Sequence, residues 1–205
     1  MTIDSKDLLN SILKNIGWID YVHLEDIPNI DLYMDQVTTF MEEQMQHSKR
    51  YPEDKVLTKT MINNYAKNHL LPAPVKKKYS KEHILMLIYI YYFKNILSIK
   101  DIETLLKPLT EQYFGATEEV YGFEEIYAKI CELEKSKIDT LKADVEESYH
   151  QAEGMFEEAG EEQKKYLQMF AFICSLSFDV YVKKLLIEKL VDEITSEENG
   201  KKKKY

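Results

Sequence analysis

The sequence predicts an all-α protein. Three observations carry that expectation. The 205 residues include only six glycines and five prolines, and 31% are charged, a composition that suits helices. Apolar residues recur at helical spacing through most of the chain. Outside residues 70–80, no stretch alternates as a strand does. The length fits one compact unit or two small lobes and is enough to bury a sizeable core.

Ser5 to Ile16 reads as a short amphipathic helix, with Leu8, Leu9, Ile12, Leu13 and Ile16 on one face and Gly17 placed to stop it. Trp18 to Ile27 shows no period and reads as an extended packing segment. After Pro28, Asp31 to Gln46 forms a second helix with the stripe Met34, Val37, Phe40, Met41 and Met45. His47 to Leu57 is a polar connector. Thr58 or Thr60 caps a third helix that ends near Asn68 or His69. Pro72 and Pro74 keep the next segment out of a helix, and Val75 to Tyr79 forms a short basic strand or hairpin arm.

Ser80 caps an apolar helix through about Asn95, with Ile84, Leu87, Ile88 and Tyr91 facing inward. Ser98 to Asp101 has capping-box form and opens a helix expected to end before Pro108. Thr117 to Ala152 keeps apolar residues near a 3.6 period, which predicts one helix of roughly 50 Å. Gly154 and Gly160 bracket a turn. Glu161 to about Ile194 is the last helix, apolar nearly all round between Tyr166 and Leu176, so burial on more than one side is expected. Ser196 to Tyr205 reads as a disordered polar tail.

Charge is unevenly placed. The chain carries −9 overall, yet residues 49–81 hold nine cations against Glu53 and Asp54, a local +7. Residues 111–164 hold sixteen acids against five lysines. A basic block on an acidic protein fits either a localised anion-binding face or a solvated lysine-rich loop, while the overall negative balance argues against indiscriminate coating of nucleic acid or membrane. Cys131 and Cys174 are too far apart in sequence for a zinc knuckle, and free thiols with no signal peptide imply the cytoplasm. The longest uncharged apolar run, Tyr166 to Phe178, is too short to span a bilayer.

The order of parts in residues 58–107 resembles the winged helix-turn-helix head of the MerR family of bacterial transcription regulators: a capped helix, Leu-Leu-Pro, a basic arm, an apolar helix and a capping-box helix. The run TKTMINNYAKNHLLPAPVKKKYSKEHI is similar to the bacterial family catalogued as domain of unknown function 1836, whose members are thought to carry such a head. The resemblance implies that Thr58 to Asn68 is a recognition helix, with Ile62 at the usual buried leucine, Tyr65 at a tyrosine and Lys67 at a common basic position. His69 stands where glycine is usual. The implied domains are an N-terminal helical arm (1–27), a winged helix-turn-helix with a minimal wing (28–108), a C-terminal helical dimerisation or sensing module (109–195) and a disordered tail (196–205).

The residue chemistry leads the same way. With Ile62 and Ala66 facing in, Lys59, Thr60, Asn63, Asn64 and Lys67 project from a helix short enough to enter a major groove. Asn63 or Asn64 can pair with the adenine N6/N7 edge. Lys76, Lys77 and Lys78 would meet phosphate or the minor groove, and Tyr79 could hydrogen-bond a phosphate. The expected function is therefore sequence-specific binding of double-stranded DNA by a cytoplasmic transcription regulator that is a homodimer. The alternative is a helical protein–protein adaptor whose head no longer binds DNA.

Other signals are weaker. Glu147 and His150 form an ExxH pair, but a di-iron bundle needs a second one and none exists. No nucleophile elbow or glycine-rich phosphate loop occurs, so neither an enzyme nor a cofactor nor a metal is expected. Tyr89, Tyr91, Tyr92 and Phe93 read as core rather than as a base-stacking platform. The last two helices could pair across a two-fold axis, form an effector pocket lined by Phe170, Phe172, Phe178 and Tyr181, or simply complete a monomeric core; the apolar stretch from Tyr166 to Leu190 favours the homodimer.

Overall fold

A computed structural model of the chain describes residues 5–16, 22–116 and 120–202. Its helices are α1 (Ser5–Ile16), α2 (Met34–Met45), α3 (Lys59–Lys67), α4 (Lys81–Phe93), α5 (Ile99–Tyr113), α6 (Phe123–Lys135), α7 (Ile138–Glu153) and α8 (Glu161–Lys202). Two short strands, β1 (Leu32–Tyr33) and β2 (Lys78–Tyr79), pair antiparallel. The mostly helical content agrees with the all-α expectation. The chain forms two compact units, one of Asp20–Cys131 with Glu188–Tyr205, the other of Met1–Ile19 with Glu132–Ile187.

The first unit is built round α4, where every residue from His83 to Tyr91 is buried. Ser80 starts this helix by a reciprocal cap in which its backbone N–H donates to His83 Nδ1 (3.0 Å). An apolar helix with no polar face has to be covered all round. The buried residues of the unit include Val37, Phe40, Met41 and Met45 of α2, Ile62 and Tyr65 of α3, Ile102 and Leu106 of α5, and Phe123 and Tyr127 of α6. Polar tips tie α4 to its surroundings. Tyr91 Oη lies 2.6 Å from Ser48 Oγ, and Lys94 Nζ donates to the Val56 carbonyl (3.0 Å) above the Tyr91 ring. The Tyr89 and Tyr127 rings meet edge-on at 5.6 Å, and the Tyr127 hydroxyl donates to the Val22 carbonyl (2.8 Å).

The second unit has its own cluster. Leu9 and Leu13 of α1, Tyr149 and Ala152 of α7 and Phe172 of α8 pack together, with Val145, Met169 and Leu176 at the margin. The Tyr149 and Phe172 rings are T-shaped at 5.5 Å. Gln168 Nε2 donates to the carbonyls of Glu153 and Met155, which satisfies orphan acceptors at the end of α7.

Several elements differ from the sequence pattern. α2 begins at Met34 because Leu32 and Tyr33 pair with β2, and two residues are too few for an alternation to show. Pro108 lies inside α5 instead of after it. It removes one backbone hydrogen bond, but Leu106, Leu109 and Tyr113 continue the stripe begun at Ile102 and carry the helix past it. The single helix expected over 117–152 is two. The ladder tightens at Ser136–Lys137, where Lys137 N–H bonds to Glu134 and the Ser136 hydroxyl donates to the Leu133 carbonyl (2.6 Å). Lys137 stands where the stripe needs an apolar residue, and Leu133 and Leu141 on either side are exposed. Where a polar tail was expected, α8 runs on to Lys202, since adding residues to an existing helix is cheap. The expected stop at Gly17, the start of the Trp18 segment, the helix start at Thr117 and the last three residues lie outside the described residues.

His83 generates a pH prediction. Burial lowers its pKa below the ordinary 6.5, outweighing the Ala73 and Pro72 carbonyls and Asp31, which favour the charged ring. The unfolded chain therefore binds more protons below 6.5. Stability is full above that value and falls as the pH drops from it towards the folded pKa. Urea unfolding between about pH 7.5 and about pH 5.5 should show this loss. In His83→Gln the same interval should be flatter; equal slopes would remove His83 as the cause.

Candidate nucleic-acid interface

α3 is short because its ends are fixed by specific residues. Thr58 Oγ1 accepts the Met61 N–H (3.2 Å) at the start. At the end His69 adopts φ +59°, and Leu70 N–H bonds back to the Tyr65 carbonyl (2.9 Å) in a Schellman arrangement. Ile62 and Tyr65 are buried. Lys59, Thr60, Asn63, Asn64 and Lys67 are all exposed, and at 100° per residue they share one arc of the helix.

The basic arm is a tight hairpin. Val75 bridges Lys78, whose N–H donates to the Val75 carbonyl (3.0 Å). Lys76 and Lys77 form the turn with φ of +50° and +65°. Two successive left-handed residues define a type I′ turn, for which Asn-Gly is the favoured pair. A lysine at such a position costs roughly 1 kcal/mol because its Cβ crowds the following carbonyl. Both lysine side chains are exposed at the tip.

Seven residues, 68–74, join α3 to the hairpin. Lys78 Nζ lies 5.3 Å from the centre of the Tyr33 ring, and Tyr33 pairs with Lys78 across the strands. Two residues on, Asp35 forms an ion pair with Lys59 at the start of α3. Tyr33 and Asp35 Cα atoms are at most about 7 Å apart. The first cation of α3 and the last cation of the turn are therefore tethered to neighbouring points. Tyr33 and Asp35 were not foreseen as part of this region; the only sequence signal is their place at the N-terminus of α2.

The basic block is not uniform. Lys49 is half-buried, bonded to Glu42 (2.6 Å) and to the Pro52 carbonyl, and it holds the Glu42 carboxyl below its ordinary pKa. Lys81 pairs with Glu124 (2.9 Å). These two cations are structural. Lys67, Lys76 and Lys77 are exposed, Lys78 is half-exposed, and Lys59 is exposed but paired. Tyr79 is not with them. Strand alternation turns Lys78 outward and Tyr79 inward, where it pairs with buried Leu32 and packs edge-on against His83 at 5.5 Å. The expected phosphate contact from Tyr79 is corrected on that ground. An open groove of about 450 Å³ beside α3 is bordered by the carboxylates of Glu42 and Glu43 and by the ammonium groups of Lys55 and Lys59.

Elsewhere, Phe172 is buried while Phe170, Phe178 and Tyr181 are exposed, so these four do not line one pocket. Tyr89 and Tyr91 are core. Glu147 accepts from Gln151, and His150 lies 3.5 Å from Glu153, all on the surface of α7. Among the described residues no group of three or more His, Cys, Asp or Glu could hold a metal ion, and no helix is long and apolar enough to cross a membrane.

The family model for Domain of unknown function (DUF1836) matches residues 22–130, just over half of the chain. The chain belongs to the DUF1836 family. The matched span holds β1 to α5, the arm and most of α6; α7 and α8 lie beyond it. No curated protein and no solved structure matches the chain.

The hairpin geometry predicts a stability gain on mutation. Lys76→Asn with Lys77→Gly should raise the stability of the fold by roughly 1–2 kcal/mol, because the turn then has its preferred residues. Thermal unfolding at fixed pH checks this; a lower midpoint would show that the lysines do not strain the turn.

Proposed function

We propose that this DUF1836 protein is a cytoplasmic DNA-binding transcription regulator and not an enzyme. In this reading the first unit is a MerR-like winged helix-turn-helix: α2 and α3 are the helix pair, the 75–79 hairpin is a minimal wing, and α4 and α5 support them. α3 enters the major groove, Asn63 or Asn64 reads an adenine edge, and Lys59, Lys67, Lys76, Lys77 and Lys78 meet the phosphate backbone.

One observation carries the reading. Two lysines occupy a left-handed turn that glycine or asparagine would fill at lower cost, at the tip of a hairpin tethered beside the exposed arc of α3. Strained residues persist where the side chain has a use, and exposed ammonium groups at a hairpin tip suit a polyanion. Lysine contributes a point charge, so these residues anchor, and the asparagines supply the sequence preference.

The adaptor reading has an observation of its own. Asp35 neutralises Lys59, and the chain is −9 overall. The two readings predict opposite results in one titration. Binding of the full chain to AT-rich duplex, followed by fluorescence anisotropy across a salt series, should give a log–log slope of about −4 to −5 for five neutralised phosphates. Changing Lys76, Lys77 and Lys78 to Glu should abolish binding, and Asp35→Asn, which frees Lys59, should tighten it several-fold. Asn63→Ala or Asn64→Ala should cost about 1–3 kcal/mol on the preferred site and little on random duplex. No binding at low salt, or binding indifferent to the triple change, would favour the adaptor.

A further inference from the structure

We infer that Tyr33 and Val75, standing on either side of Lys78, form an apolar strip that packs on the deoxyribose rings of one DNA strand, between the phosphates that the lysines hold. The inference rests on the DNA-binding reading and adds to it a contact made by uncharged groups.

The strip follows from the pairing of three short segments. Lys78 is paired on both sides, with Tyr33 across β1 and β2 and with Val75 across the hairpin. Residues directly opposite one another in adjacent antiparallel strands project from the same face. Tyr33, Lys78 and Val75 therefore stand in one row. The other face carries Leu32 and Tyr79, which are buried, so the row lies on the solvent side. Tyr33 is 54% exposed and Val75 70%. One exposed apolar side chain is ordinary. Here two of them flank a lysine, beside Lys76 and Lys77 at the hairpin tip.

Charge and width identify the occupant. Lys76, Lys77 and Lys78 surround the strip with positive charge, and Asp35, two residues beyond Tyr33, is engaged by Lys59. A surface that alternates ammonium groups with apolar groups is complementary to a strand that alternates phosphates with sugar rings. Two interstrand gaps make the row about 10 Å wide. That is too wide for a minor groove about 6 Å across, so the row lies over the strand that borders the groove. Lys78 Nζ sits 5.3 Å from the centre of the Tyr33 ring, which places a cation within the strip itself. Tyr33 also lies between the two tethers, to Lys78 in the hairpin and through Asp35 to Lys59 in α3. A duplex that touches both α3 and the hairpin passes over it.

The two kinds of contact differ in their response to salt. An ammonium group that neutralises a phosphate releases counterions and adds to the slope of log affinity against log salt. A sugar packed on an aromatic ring or a methyl group releases none. The strip therefore contributes affinity that salt does not remove.

Anisotropy titrations of the full chain on AT-rich duplex, carried across a salt series, separate these contributions. Tyr33→Ser should weaken binding on the order of tenfold at every salt concentration, with the log–log slope unchanged. Val75→Thr keeps the branched shape and changes only the polarity, and it should weaken binding several-fold, again with the slope unchanged. Tyr33→Phe should bind as the unaltered chain does. Lys77→Gln should instead reduce the slope by about one. Thermal unfolding midpoints equal to that of the unaltered chain confirm that the exposed positions do not act through the fold. Unaltered affinity in both Tyr33→Ser and Val75→Thr, a changed slope in Val75→Thr, or a loss in Tyr33→Phe as large as in Tyr33→Ser would each overturn the strip while leaving the DNA-binding reading in place. Absence of duplex binding by the unaltered chain at low salt would overturn both.

Discussion

The first unit depends on the burial of α4 from His83 to Tyr91. A helix that is apolar on every side cannot stand at a surface, so each neighbouring element is shaped by the need to cover it. α2 and α3 supply apolar stripes. α5 continues through a proline to keep its stripe in place, and α6 contributes Tyr127, whose hydroxyl finds the Val22 carbonyl as the ring is buried. The polar groups on α4 itself lie near its ends. His83 caps the first turn and packs against Tyr79 and Phe114, while Lys94 closes the other end on the Val56 carbonyl.

That constraint also sets the candidate interface. Because Tyr79 is drawn into the core beside His83, Lys78 is turned outward, and the hairpin leaves the core at a fixed place with Lys76 and Lys77 at its tip. Because Ile62 and Tyr65 are buried, α3 presents Lys59, Asn63 and Lys67 to solvent. The core thus orients both elements, and among the described residues of the first unit the left-handed non-glycine positions are the hairpin turn and His69 at the end of α3. The proposed function uses the cations and amides that this packing leaves outside.

Most of the helices were legible in the sequence. Ser80 and Ser98 mark helix starts through side chains that bond to nearby N–H groups, and the stripe Val37–Phe40–Met41–Met45 is buried as its spacing requires. What escaped has physical causes. A two-residue strand has no periodicity to detect. The helix break at Ser136–Lys137 rests on one serine back-bond and one polar residue in a stripe. Tyr79 changed role because burial depends on which face of β2 meets α4, and that was not fixed by the arm alone. The ion pair of Asp35 with Lys59 joins residues 24 positions apart that no local pattern connects. On α8 the excess of apolar residues was plain, while their division into a packed face and an exposed face needed the fold.

The central claim is that α3 and the lysine hairpin together receive duplex DNA. Amide hydrogen exchange of the full chain with and without a short AT-rich duplex measures this directly, because it reports which backbone segments a ligand covers. Added protection should concentrate in residues 58–69 and 75–79, with α4 already slow to exchange in both states. Protection that appears elsewhere while those two segments exchange unchanged would contradict the account.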